Sequence, residues 1–391
     1  MSKNKEFDII VYGASGFTGR LVAEYLVKQY KDDSSFTWAM AGRSADKLAQ
    51  VRDEIGAPKD TPLVVADAQD ATSMQAMLDS TRLILTTVGP YQLYGSELVA
   101  MCAQSGVDYV DLCGEPVWMR HMIDANEAAA KASGARIVFS CGFDSIPFDL
   151  GVYRLQQLAK EKFGHTFNRV KGRVKKMQGT FSGGTAASLK ATLAAAKQDP
   201  KQFQLLLNPF SLTPGFAGIE QPAGDKPYFE ESLNTWVTPF IMAAINTRNV
   251  HRSNLLLSHQ YGSDFVYDEM LMTGLGEKGE AIANAVASDK GMMKDGGPKP
   301  GEGPSKEERE NGFYEVLFVG NDQEGQNLTV SVGATLDPGY GSTSRMITEA
   351  ALCLIKDAGD TPGGILTPAS AMGDKLIKRL VDNAGLTFKQ L

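Results

Sequence analysis

Three glycines, Gly13, Gly16 and Gly19, stand three residues apart in GASGFTG, between the apolar run FDIIVY and the stretch RLVAEYLVKQY. A strand that turns sharply into a helix leaves several backbone N–H groups unpaired and pointing at one spot, which attracts an anion. Gly13 permits the tight turn, Gly16 lets a pyrophosphate approach the main chain, and Gly19 lets the helix lie close on the sheet. Ser15, Phe17 and Thr18 complete the loop. The spacing is GxxGxxG where the common dinucleotide fingerprint is GxGxxG, so the flanking context carries the reading. Residues 7–12 are β-prone, and Leu21, Val22, Tyr25 and Leu26 share one face of a helix that Thr18 helps to start.

The next β-prone run ends in AGRSADK, where an NAD site would place an acid for the ribose 2′-hydroxyl. Instead Arg43, Ser44 and Lys47 offer a guanidinium, a hydroxyl and an ammonium suited to a 2′-phosphate, which predicts NADP(H) as the cofactor. The alternative is that Arg43 is a solvated charge at a helix start. Asp67 and Ala68, after the third run, border the adenine; Thr87, Gly89, Pro90 and Tyr91, after the fourth, approach the middle of the dinucleotide or simply form a turn. A proton donor is less evident. No Tyr-x-x-x-Lys pair occurs, which disfavours the short-chain dehydrogenase mechanism. Tyr91 and Asp144 lie on loops expected near the nicotinamide, and either could donate or relay a proton; Asp144 could equally be a turn residue before Ser145 and Pro147. The four histidines lack metal-ligand spacing, so no metal is expected.

The elements that must position these residues follow a rhythm. Apolar runs at 36–41, 62–67, 82–88, 108–112 and 135–140 alternate with segments of helical spacing, several ending in glycine. The economical solution is an α/β fold with a Rossmann-type doubly wound parallel sheet, its cofactor loops at the carboxyl ends of the strands. The rhythm stops at SCGFDSIPFDLG, residues 140–151. Residues 167–178 then alternate as a half-exposed strand, and 313–320 with 328–336 read as a hairpin around NDQEGQN. A second α+β domain containing an antiparallel sheet is expected. The boundaries are 1–150 for the nucleotide domain, 151–340 for a substrate and dimerisation domain, and 341–391 for helices packing back toward the first. SGGTAASLKATLAAAK, from Ser182, reads as a Gly-led helix.

Two insertions differ in character. Residues 207–248 combine proline and glycine with Phe210, Phe216, Tyr228, Trp236, Phe240, Ile241 and Met242; they suit an apolar pocket, a dimer face, a lipid contact or plain core. Residues 288–311 are rich in Gly, Pro and charge and read as a surface loop. The chain has 391 residues, 43% of them hydrophobic, and a net charge of −7 without a basic block, which argues against a nucleic-acid partner. Four cysteines without a CxxC pair read as core thiols of a reducing compartment. No apolar signal region opens MSKNKEFDII, so a cytoplasmic protein is expected, with attachment to a membrane surface left open.

GASGFTG, AGRSADKL, VGPYQLYGSELVAMC, DYVDLCGEP, ARIVFSCGFDSIPFDLG, SGGTAAS, TPFIMAAINTR and GGILTPASAMGDKLIKRL together resemble the saccharopine dehydrogenase-like oxidoreductases, in particular the branch with the trans-acting enoyl reductases of bacterial lipid synthesis. The resemblance spans nearly the whole chain. It implies an NADP-binding domain with the family's glycine loop at Gly13, Gly16 and Gly19, and hydride transfer to an enoyl or other apolar acyl substrate, free or carrier-bound. Two alternatives stand beside it: reduction of an amino-acid-like substrate, and a non-catalytic NADP-binding sensor or scaffold. Against the first, Arg169, Arg173, Arg248, Arg252 and Arg345 are scattered and form no obvious carboxylate-binding cluster. A homodimer is the expected assembly, resting on the apolar insertion.

Overall fold

The structure, a computed structural model, describes residues 5–179, 188, 191–192, 199–289 and 302–391. The segment read as a helix from Ser182 and most of the Gly/Pro-rich loop at 288–311 lie outside the described residues.

Six strands alternate with helices along the first part of the chain. They are β1 (Phe7–Tyr12), β2 (Trp38–Gly42), β3 (Leu63–Val65), β4 (Thr81–Thr86), β5 (Asp108–Val110) and β6 (Arg136–Val138). The helices between them are α1 (Phe17–Tyr30), α2 (Ala45–Glu54), α3 (Ala71–Ser80), the short α4 (Tyr91–Tyr94), α5 (Ser96–Ser105) and α6 (Pro116–Ser133). A seventh strand, β13 (Gly364–Leu366), arrives from near the end of the chain. All pairings are parallel, in the order β13-β6-β5-β4-β1-β2-β3. Parallel strands need covered faces, and β1 shows why its sequence is apolar throughout. Ile9 and Val11 pack with α1 and α2 on one face, Ile10 and Tyr12 with α3, α5 and α6 on the other. The chain runs away from β1 in opposite directions to β2 and β4, so the loops after β1 and β4 diverge and open a crevice at the carboxyl edge.

Helix α7 (Ile146–Phe163) leads into a second sheet of β7 (Arg169–Gln178), β8 (Tyr228–Glu230), β9 (Thr235–Pro239), β10 (Val266–Gly274), β11 (Phe313–Asn321), β12 (Asn327–Ala334) and β14 (Thr387–Gln390). Its order is β14-β12-β11-β7-β10-β9-β8, with the β7–β10 pair parallel and the rest antiparallel. The sheet is therefore mixed. Further helices among the described residues are α8 (Pro200–Leu207), α9 (Ala243–Leu256), α10 (Gly276–Ser288), α11 (Lys306–Glu310), α12 (Thr343–Lys356) and α13 (Pro368–Arg379).

The C-terminal segment serves both sheets. It adds β13 to the first and β14 to the second, while α12 packs along α1. Glu349 of α12, fully buried, accepts hydrogen bonds from the hydroxyls of Tyr25 (2.9 Å) and Tyr30 (2.5 Å) and pairs with Arg379 at 3.1 Å. Such a charge is tolerable inside only because donors surround it. The apolar insertion does not act as one unit. Phe210, Val237 and Phe240 are core, Phe240 against Phe148 at 5.7 Å, whereas Tyr228 and Ile241 are exposed.

Candidate functional site

Helix α1 starts at Phe17 with Gly16 as its N-cap, and no side chain caps it. Helices α2 and α3 at the same edge are capped by Ser44 on the Lys47 N–H and by Asp70 on the Thr72 N–H. Thr18 therefore does not start α1, and its first-turn N–H groups are left for an outside acceptor. The turn before it is tight: Gly13 sits at φ +90°, and the Gly16 N–H donates to its carbonyl at 2.9 Å. A methyl group on Gly19 would lie 2.2 Å from that carbonyl oxygen and 2.8 Å from Thr87 Oγ1. Thr87, from the loop after β4, donates its N–H to Tyr12 O at 3.0 Å. The two sides of the crevice are thus locked together by contacts that only glycine admits. Ser15 lies against Gly42, at the end of β2. The cradle fits a pyrophosphate.

The adenosine side is equally ordered. Asp67 turns its own loop, accepting from the Gln69 N–H at 3.0 Å, while its N–H donates to Ser73 Oγ at 3.1 Å. Tyr12, buried, bonds the backbone at Ala68; burial, with Asp67 beside it, pushes its phenol up to about 12. Ser44 is occupied as a cap, whereas Arg43 and Lys47 are exposed and form no ion pair among the described residues. A guanidinium after β2 that forms no ion pair among the described residues is what a 2′-phosphate requires. Arg43→Asp is expected to weaken NADPH binding at least tenfold and to leave NADH binding within about twofold, read by titration with each nucleotide. Equal weakening of both would count against the assignment.

The loops after β4, β5 and β6 meet around three carboxyl groups. Tyr91 is buried; its hydroxyl accepts from the Leu112 N–H at 3.0 Å and donates to Thr86 O at 3.4 Å. That double engagement ties the loops after β4 and β5 together and makes Tyr91 a positioning residue by geometry. Gly89 and Pro90 lead into α4, whose first two N–H groups, of Tyr91 and Gln92, are each held at 2.9 Å by Glu115. Asp111, fully buried, accepts from the N–H groups of Cys113 and Ser140 and from Tyr109. Neither Asp111 nor Glu115 stands out in the sequence; the only signal is an acid pair in the short loop DLCGE after a strand. Asp144 differs from both. It is only partly open, no other side chain among the described residues hydrogen-bonds its carboxyl, and burial pushes it up to about 7. A methyl group on Gly114 would lie 2.7 Å from Asp144 Oδ2, so the absent side chain makes room for the acid.

Beside this cluster a cleft of about 280 Å³ opens between Gln92, Ser96, Trp118 and His121 of the first domain and Thr192 and Gln202 of the segment beyond β7. Among the described residues no His, Cys, Asp and Glu group could hold a metal, and no helix is long and apolar enough to cross a membrane.

Residues 9–138 match the saccharopine dehydrogenase NADP binding domain. Relatives align over almost the whole chain. A Mycobacterium tuberculosis protein named provisionally as a trans-acting enoyl reductase is 39% identical, covering 96% of both chains. The trans-acting enoyl reductase of Mycobacterium ulcerans is 36% identical, covering 97% of this chain and 96% of its own. Apo saccharopine dehydrogenase (L-Glu forming) from Saccharomyces cerevisiae superposes with a TM-score of 0.56 over 98% of this chain and all of its own, at 11% identity, a likeness of fold alone. The first domain thus binds NADP(H), and the chain belongs to the saccharopine dehydrogenase-like oxidoreductases, in the branch of the trans-acting enoyl reductases.

Proposed function

We propose that this chain is a cytoplasmic NADPH-dependent reductase of an α,β-unsaturated acyl thioester. The observation that carries the reading is an NADP cradle joined, over nearly full length, to relatives named as trans-acting enoyl reductases. Bound there, NADPH supplies a hydride for the β-carbon of the acyl group. Arg43 and the glycine loop hold and orient the nucleotide, Glu115 and Tyr91 fix the loops beside its reactive end, and Asp144 provides a proton for the α-carbon. The acyl thioester enters through the cleft lined by Gln92, Trp118 and His121. Four buried thiols, none in a disulfide, accord with a reducing compartment.

An amino-dicarboxylate substrate fits poorly because Arg169, Arg173, Arg248 and Arg252 of the second domain are already engaged. Arg173, fully buried, pairs with Glu230 at 2.6 Å and Asp268 at 2.9 Å, and Arg169 pairs with the same Asp268. Arg248 donates to Ser211 Oγ and to the carbonyls of Ala244 and Leu206. Arg252 donates to the carbonyls of Leu212 and Ile365 and pairs with Glu127. Arg345 lies over the Tyr25 ring, 5.6 Å from its centroid.

Tryptophan quenching tests the nucleotide step, since Trp118 packs on Tyr91 at 5.7 Å beside the loop after β4. Adding a medium-chain enoyl thioester to the NADPH complex should then consume the reduced nicotinamide absorbance. Tight NADPH binding with no oxidation by any enoyl thioester would sink the acyl reading while leaving the cofactor site intact.

A further inference from the structure

We propose that Arg309, carried by the second domain, closes over the glycine loop and binds the cofactor pyrophosphate. Phe17, the first residue of α1, turns its ring away from the sheet and toward the second domain. Tyr340 meets it edge-on with ring centroids 5.2 Å apart, and the Arg309 guanidinium lies 5.7 Å from its centroid. The backbone at Gly303 abuts the same ring, since a methyl group there would fall 2.5 Å from it. Phe17 is therefore the point where two second-domain segments seat on the phosphate loop.

Arg309 is held in place by a built frame. Helix α11 begins with a capping box in which Ser305 and Glu308 satisfy each other's N–H groups. Arg309 Nη1 donates to Pro304 O at 2.6 Å, and its own carbonyl accepts from the Asp337 N–H at 2.9 Å. Asp337 in turn caps the turn Pro338–Ser342 through the N–H groups of Tyr340 and Gly341. Thr343 closes the frame, donating to Pro338 O and accepting from the Phe143 N–H of the loop after β6.

The Asp337 carboxyl feels the charge of Arg309 but does not pair with it. Among the described residues Arg309 forms no ion pair, and the neighbouring Asp337 carboxyl is spent on the turn, its acidity reduced by burial. A cation without an ion-pair partner among the described residues thus stands beside a helix N-terminus without a side-chain cap. A diphosphate answers both, through the N–H groups of the first turn and a charge-assisted bond to the guanidinium. The consequence is a division of labour. Arg43 reads the 2′-phosphate that only NADPH carries, whereas Arg309 reads the pyrophosphate common to NADPH and NADH. Cofactor binding then also fastens the second domain onto the first.

The inference rests on dinucleotide binding alone, and its test needs no acyl substrate. Full-length Arg309→Ala and Arg309→Gln are titrated with NADPH and with NADH by tryptophan quenching, with melting temperatures measured alongside. Both variants are expected to raise Kd for both nucleotides about tenfold, keeping their ratio, while Arg309→Lys recovers part of the loss. The glutamine variant keeps an uncharged polar side chain with donors, so its loss isolates the charge. Unchanged affinities, a loss confined to NADPH, or a loss in the alanine variant that glutamine restores would each overturn the proposal.

Discussion

Gly19→Ala abolishes measurable NADPH binding and destabilises the protein by about 2–4 kcal/mol, although it adds a single methyl group to a helix that would otherwise welcome alanine. The methyl carbon would stand 2.2 Å from Gly13 O and 2.7 Å from Gly13 C. Both are backbone atoms. Thr87 Oγ1, at 2.8 Å, can rotate aside, but the Gly13 carbonyl is fixed by its bond from the Gly16 N–H and by the φ of +90° that sets the turn. Relief therefore requires α1 to move off the loop, which pulls the first-turn N–H groups away from the place where a pyrophosphate would sit. Gly359→Ala is the matched control, because nothing lies within 4 Å of its added carbon and its φ is ordinary. Urea unfolding gives the stability difference and nucleotide titration the binding loss. A Gly19→Ala protein that bound NADPH with unaltered affinity would show that the close approach of helix to loop is not what builds the site.

The sequence made this part of the molecule legible because its physics is local. Gly16 and Gly19 answer contacts with the Gly13 carbonyl in the same turn, and the apolar runs of the first sheet are short, regular and separated by helices. The absence of an acid after β2 pointed to the open guanidinium of Arg43 for the same reason. Other features depend on partners far along the chain. Strands β13 and β14 are three- and four-residue segments near the end of the chain whose pairing is decided by β6 and β12. The parallel contact of β7 with β10 turns an expected antiparallel sheet into a mixed one, and no hairpin signal announces it. Glu115 reads as one more acid before a proline; only the fold brings it under the first N–H groups of α4. Arg309 sits in a charged, Gly/Pro-rich stretch that reads as a surface loop, and its value comes from Phe17, which lies at the other end of the sequence.

The proposed proton donor is Asp144 rather than Tyr91. Tyr91 and Asp144 were equal candidates by position, but the Tyr91 hydroxyl is saturated by the Leu112 N–H and Thr86 O and burial pushes its phenol well above 10. Asp144 keeps a carboxyl that no other described side chain hydrogen-bonds, in a space that Gly114 leaves clear, with its acidity moved by burial to about 7, where a group can both hold and release a proton in the cell. Asp144→Asn is accordingly expected to lower kcat about a hundredfold to ten-thousandfold, with little change in the Kd for NADPH. In the proposed reaction the acid form is the active one, so the wild-type rate should fall as the pH rises through about 7, and the asparagine variant should lose that limb. Stability gives an independent check of the sign. The folded value lies above the unfolded one of roughly 4, so the contribution of Asp144 to folding is fully present below that value and is lost as the pH rises through about 7. Asparagine never ionises. The variant should therefore melt above the wild type at pH 8, with the gap closing as the pH falls toward 4. A variant that melts this way yet keeps its rate would make Asp144 a buried acid of the loop and nothing more. Tyr91→Phe should cost stability and leave the shape of the pH profile unchanged, because its hydroxyl holds loops rather than a mobile proton.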